Sequence, residues 1–368
     1  MCDSVISSAK ASNSILIKIL LVLLISSAMA TNVFAVNIYT KKGPGIAISS
    51  SGNMHLYFTG HNNDYIWEAK YSPETRSWTS QGRVLNSAGN AARTTERPAP
   101  LHINEVFFHG NVANDYIWHV DRGSSSSEWG RPHYLQYFLR TGDPARDTFL
   151  MRSSPAVMTY SWAGSPRTPT VFFTDLVSRR ITYTTRRESG SSIWSRPGLL
   201  PAQCVSNVGP AIANYGGAPL VFYAKRNTHE IFLAAKNHDL ANRDEDDWTV
   251  LGIPRAFTTA EPSATNINDG GVLLVYKGHN NNKIWLRLYR PAFGNMLQSS
   301  SWRRLGYVSG VETDQAPAIA YRDGTLVLAF KNPDTDAAHP VFTVDIGFLT
   351  IDESNRHDTP GHTFTSFR

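Results

Sequence analysis

MHLYFTGHNNDYIW occupies residues 54–67, and VLLVYKGHNNNKIW occupies residues 272–285. The two stretches share G-H-N-N-x-x-I-W in one register, 218 positions apart. A catalytic loop is needed once, whereas a phrase written twice marks a repeated structural unit. Each copy is an apolar, aromatic run, a Gly/Asn turn and a second run carrying a tryptophan. That is the pattern of a β-hairpin whose turn residues tolerate positive φ.

The context of the phrase recurs more often than the phrase itself. A proline followed by a short apolar stretch stands at Pro44, Pro98, Pro155, Pro210, Pro262 and Pro317, at spacings of 54, 57, 55, 52 and 55 residues. Each unit keeps one order. The proline stretch leads to an apolar strand (MHLYFT, NEVFFH, PTVFFT, PLVFYA, VLLVYK, TLVLAF). A polar turn and an alternating strand follow (YIWEAKY, YIWHVDR, RITYTTR, EIFLAAK, KIWLRLY, PVFTVDI). Then comes a tryptophan: Trp78, Trp129, Trp194, Trp248 or Trp302, with Phe364 in that place in the sixth unit. Four short strands repeated six times predict an all-β fold, a six-bladed β-propeller of four-stranded antiparallel blades. A solenoid coil is shorter than these units, and a pair of sandwiches does not divide into six even parts. The stretch VNIYT at 36–40 either adds a strand to the last blade or leads into the first.

The chain start reads differently. Residues 15–30, ILIKILLVLLISSAMA, form an apolar core behind Lys10 and Lys18, with small-x-small cleavage sites ending at Ala30 and Ala35. Residues 1–35 are therefore expected to be a secretory signal peptide, and 36–368 a single propeller domain. The expected destination is extracellular, or periplasmic in a bacterium, with no membrane span after removal of the signal. Of the two cysteines, Cys2 leaves with the signal, so Cys204 is expected as a lone buried apolar residue. The formal charge of +5 is spread without a basic run, which argues against a nucleic-acid partner.

In such a blade, the turns between second and third strands share a face with the loops entering the first strands. That face collects His, Asn, Arg and acidic side chains, groups that bind sugar hydroxyls. MHLYFTGHNNDYIWEAKYSPETRSWTS, residues 54–80, resembles a blade of the six-bladed fucose-binding lectins. Their blades read Arg-Val-Tyr-Phe, then Ile-x-Glu-Ala, then a Trp about ten residues on. The resemblance implies a carbohydrate-binding protein that takes glycans as partners, with Glu68 and Trp78 on the sugar. It departs at His55, which stands in the Arg position, and at His119, Tyr183, Leu233 and Leu286, which stand in the Glu position. His55, His61, Trp67, Glu68, Trp78, His279 and Trp285 are the expected ligand-binding set.

The alternative is an enzyme. SPETRSW at 72–78, SSSSEW at 124–129 and SGSSIW at 189–194 resemble the Asp boxes of sialidases with the Asp and Gly lost. A glycoside hydrolase would draw on the channel-facing Glu96, Arg97, Arg152, Glu261 and Asp314, with Glu312 nearby, since glycosidases need two facing carboxylates. A propeller scaffold that binds protein is the third reading, and it predicts an exposed apolar patch. No cofactor is expected and no metal: His61 and His279 occupy turns of different blades, and HDLANRDEDD at 238–247 lacks the calcium-loop pattern.

Overall fold

The computed structural model describes residues 40–349, apart from 61–62, 73–76, 111–114, 124–126, 139–145, 161–167, 187–192, 237–246, 268–270, 291–300, 323–324, 332 and 334–345. The segments read as signal peptide, the closing tryptophan equivalent Phe364 and most of VNIYT lie outside the described residues. Thr40, the last residue of VNIYT, pairs with Gly60 of the first blade.

The described chain is a β-propeller. Five antiparallel sheets have all four strands, and the sixth has three. Blade one comprises Gly45–Ile48, Met54–Thr59, Ile66–Ser72 and Ser77–Arg83 in consecutive order. The innermost strands of the six sheets neighbour one another in a closed ring, with Gly45–Ile48 meeting both Ala99–His102 and Ala318–Arg322. Six apolar clusters fill the six gaps between adjacent blades. Because each blade is covered on both faces, the second strands are buried throughout: Met54–Thr59, Glu105–His109, Ala218–Ala224 and Val272–Lys277 expose no residue.

In the sixth unit Ile346–Leu349 pairs as the third strand; it begins at the last residue of PVFTVDI, whose first six residues lie outside the described residues. In the third unit Ile193–Trp194 runs parallel to Gln136–Phe138 in a small extra sheet with Arg146–Thr148, while Trp194 also bridges Arg186 of its own blade and Gly198–Leu199 is that blade's fourth strand.

The tryptophans close the gaps. Trp129, Trp194, Trp248 and Trp302 are buried, and each meets an aromatic ring of the preceding blade. The pairs are Tyr57–Trp129 at 6.0 Å, Phe107–Trp194 at 5.7 Å, Tyr183–Trp248 at 6.0 Å and Phe222–Trp302 at 5.9 Å between centroids. The other side of each indole meets the last residue of its own unit's third-strand motif. Arg122, Arg186 and Lys236 lie over Trp129, Trp194 and Trp248 at 4.6, 5.2 and 5.3 Å, and Tyr289 lies against Trp302 at 4.8 Å. These indoles are inter-blade wedges.

A second repeat is visible only in retrospect. Thr40, Thr94, Ser206, Thr258 and Thr313 stand four residues before five of the six prolines, all fully buried. Each hydroxyl bonds the backbone carbonyl two residues on, shaping the approach to the innermost strand.

Candidate functional site

Three places collect polar chemistry. The first is the gap between blades one and two, where the lectin resemblance puts a sugar. His55 and Glu68 do meet: Nδ1 of His55 donates to Oε1 of Glu68 at 2.6 Å. The hydroxyl of Tyr57 donates to the Ile103 carbonyl at 2.7 Å and lies 3.2 Å from the same Glu68 oxygen. Arg122, from the next blade, forks onto both carboxylate oxygens at 2.8 and 3.2 Å. Both His55 and Glu68 are buried, and the carboxylate is filled by the protein's own donors. Burial alone would raise the Glu68 carboxyl. The His55 hydrogen bond and the Arg122 charge outweigh it and hold the group below the ordinary carboxylate value.

Blade two repeats this arrangement with the two residue types exchanged. Glu105 takes the strand position of His55, and His119 takes that of Glu68. His119 donates to Glu105 at 2.6 Å, and Arg186 of blade three pairs with the same oxygen. His102 and His133 complete the cluster, at 3.3 Å from Glu105 and 3.0 Å from His119. Burial again pushes the Glu105 carboxyl upward, and the hydrogen bonds of His102 and His119 with the nearby charges bring it far below its usual range.

The sign of the resulting pH dependence follows. Both carboxyls titrate lower in the folded than in the unfolded chain, so they stabilise the fold above the unfolded value of about 4.3. That contribution is lost as the pH falls through their folded values. Urea titrations between pH 7 and pH 3 should show the midpoint dropping below about pH 4, and dropping less in an Arg122→Met/Glu68→Leu variant.

The second place is the axis. Arg97 is buried, and its guanidinium spans the ring to the carbonyls of Pro317 at 3.1 Å and Pro262 at 3.4 Å. The matching positions in units one, four and six are Gly43, Gly209 and Ala316, too small to contest that space. Ser154 donates to Glu261 at 3.2 Å, and Glu96 pairs with Lys42 at 3.3 Å. Burial raises the Glu96 carboxyl, and the neighbouring Glu261 raises it further against the pull of Lys42 and Arg97. Asp314 pairs with the buried Lys331 at 3.0 Å, while Arg152 and Glu312 are exposed. A cavity of about 140 Å³ lies on this axis, lined by Arg97 and by prolines that open five of the innermost strands.

The third place explains the duplicated phrase. The Oδ1 of Asn63 accepts from the Trp67 indole at 3.5 Å and from the Tyr65 amide at 3.1 Å. The Oδ1 of Asn281 accepts from the Trp285 indole at 3.3 Å and from the Lys283 amide at 3.1 Å. The glycine of the phrase is required sterically. A Cβ on Gly278 would lie 2.2 Å from that Asn281 oxygen and 2.8 Å from the indole nitrogen, with 2.4 and 2.7 Å at Gly60. Gly278→Ala should therefore break the clamp and cost about 1–3 kcal/mol in chemical denaturation, with a red shift or intensity change in tryptophan fluorescence.

Both clamped indoles are half-buried, with cations on them. Arg83 lies 5.2 Å from the Trp67 ring and 4.4 Å from Tyr65, and Arg304 lies 4.5 Å over Trp285. His279 stacks on His229 of the preceding blade at 4.5 Å. His61 and the Trp78 side chain lie outside the described residues; the Trp78 backbone pairs with Tyr71. The expected ligand-binding set omits these cations, and nothing in the repeat signals Arg83 or Arg304; only Arg122, Arg186 and Lys236 carry a signal, as the residues that end the third-strand motifs of units two to four. Cys204 is a buried thiol whose pKa burial pushes up to about 11.

Among the described residues no three His, Cys, Asp or Glu side chains form a group able to hold a metal ion, and no helix is long and apolar enough to cross a membrane.

No protein-family model matches the chain, and no curated protein does. Solved structures do. A Hadza microbial sialidase, Hz136, superposes with a TM-score of 0.57 at 10% identity over 86% of this chain and 67% of its own. A Dyadobacter fermentans protein of unknown function gives 0.55 at 12% identity, over 84% of this chain and 96% of its own. The SapL1 lectin, solved with α-methyl fucoside, gives 0.53 at 13% identity over 86% and 99%. The chain thus has the architecture shared by sialidase and fucose-lectin propellers.

Proposed function

We propose that the chain is a secreted, non-catalytic carbohydrate-binding propeller whose ligands lie beside Trp67 and Trp285 on blades one and five. The observation that carries this reading is the clamp built twice: Trp67 and Trp285, each fixed by an asparagine, half-buried, with cations and a tyrosine beside it. A rigid aromatic with directed donors is what saccharide recognition needs, and two copies on one disc bring avidity against a multivalent surface. The sialidase and fucose-lectin architecture supports the reading at the level of the fold. His279 belongs to the same surface, while His55 and Glu68 support it from within the ring.

The test is a broad glycan array probed with the mature chain and with a Trp67→Ala/Trp285→Ala variant checked for folding by circular dichroism. Saccharide binding that disappears in the folded variant is the expected result. Binding to no saccharide sinks the reading.

One observation favours a second reading, a glycoside hydrolase at the axial mouth. Glu96 is held toward its protonated form beside Glu261, a division of labour suited to acid and base. Hydrolysis of aryl glycosides that is abolished in both Glu96→Gln and Glu261→Gln would establish it. The scaffold reading has no such support: Tyr134, Val177 and Phe257, the exposed large apolar side chains among the described residues, lie on three different blades.

A further inference from the structure

The chain treats its arginines in two ways. Arg122 and Arg186 are nearly buried and paired with Glu68 and Glu105. Arg83, Arg93 and Arg304 are exposed, and among the described residues no carboxylate pairs with them. They are nonetheless held in place. In blade one, the guanidinium carbons of Arg83 and Arg93 lie 4.4 and 4.3 Å from the centroid of Tyr65, and Arg93 also donates to the Tyr65 hydroxyl. In blade five, Arg304 lies 4.5 Å from the centre of Trp285, and the Lys283 ammonium lies 4.0 Å from the centre of Tyr307, whose ring stands edge-on to Trp285 at 5.4 Å.

A guanidinium stacked on an aromatic ring gives up one face and keeps its in-plane N–H edge free. Stacking also removes rotamer freedom in advance, so less is lost when that edge binds. Its natural complement is a planar or tetrahedral oxyanion, taken by paired charge-assisted hydrogen bonds. The stacked cations also cover the rings that a neutral sugar would use for C–H contact. What these surfaces offer is donor edges rather than bare aromatic faces.

We infer that the surfaces beside Trp67 in blade one and Trp285 in blade five are binding sites for anionic saccharides, with Arg83 and Arg93 at one and Arg304 and Lys283 at the other taking a carboxylate or sulfate group. This rests on the carbohydrate-binding reading above and narrows its ligand class. The clamp gives the geometry its purpose: Asn63 and Asn281 fix the indoles, and the indoles and tyrosines fix the cations.

Three polymers of one backbone test it: dextran, carboxymethyl-dextran and dextran sulfate, measured by biolayer interferometry on the full mature chain. The expected result is that the charged polymers bind and dextran binds far more weakly. An Arg83→Gln/Arg93→Gln/Arg304→Gln variant should lose roughly tenfold or more in affinity for the charged polymers. An Arg131→Gln/Arg196→Gln/Arg226→Gln variant removes the same charge elsewhere and should change affinity by less than about twofold. Equal losses in the two variants would mean diffuse attraction to a cationic protein and would overturn the assignment. Binding of dextran as tight as that of its charged derivatives would also overturn it, while leaving carbohydrate binding intact. If no polymer binds and the glycan array is also blank, both readings fall together.

Discussion

Replacing Arg97 by alanine will destabilise the propeller by about 3–5 kcal/mol, the cost of removing one partner from a buried charge network. The size follows from where the guanidinium sits. It is buried on the axis and donates to carbonyls of two blades across the ring, 165 and 220 residues away in sequence. Its charge also offsets Glu261 and Glu96. Alanine leaves those two carbonyls without their Arg97 donors, leaves the carboxylates less compensated, and opens a void beside the existing cavity. Lysine should recover only part of the loss, because a single ammonium cannot reproduce a planar fork aimed at two acceptors. Urea denaturation followed by tryptophan fluorescence measures both. Arg226→Ala, an exposed side chain, is the matched control and should stay within about 0.5 kcal/mol of the native protein. An Arg97→Ala protein as stable as the control would mean the axial network contributes nothing.

Glu68→Ala will cost a similar 3–5 kcal/mol, since it strands His55 and Arg122 in the gap between blades. His55→Ala should cost less, about 1–2 kcal/mol, because Arg122 still pairs with both carboxylate oxygens. The informative variant is the exchange, His55→Glu with Glu68→His. Blade two already builds its network in that orientation, with Glu105 on the second strand, His119 on the third and an arginine arriving from the next blade. The exchange should therefore recover most of what Glu68→Ala loses. An exchange as damaging as the single substitution would show that the two blades are not interchangeable. Because Glu68 is enclosed, an open sugar pocket at this residue would require Arg122 to move away. Saccharide binding that survives the exchange would keep Glu68 off the binding surface.

The architecture was legible because a propeller writes it many times. Proline spacing, buried second strands and a tryptophan near the end of five of the six units are local features, and each recurs with the period of the blade. Legibility falls where the period breaks. In the sixth unit the described third strand is Ile346–Leu349, and the part of PVFTVDI from Pro340 to Asp345 lies outside the described residues. Trp194 bridges Arg186 of its own blade, but nothing local foretells that its strand also pairs with Gln136–Phe138. The threonines four residues before the prolines were readable and were overlooked, because a turn-forming hydroxyl resembles any other polar loop residue.

The sequence by itself determined the fold class, the number of repeating units and which strands are buried on both faces, because these follow from periodicity and side-chain type. It also brought His55 and Glu68 to attention, through a motif carried within one blade. Only the tertiary structure decided what those residues do. Glu68 is closed by an arginine 54 positions away, the tryptophans are spent as wedges against the preceding blade, and Arg97 reaches the opposite side of the ring. Each of these depends on one blade meeting another. Hydrogen bonds and stacking act over a few ångströms of space, whereas a repeat pattern specifies each blade without saying which side chains its neighbour will bring.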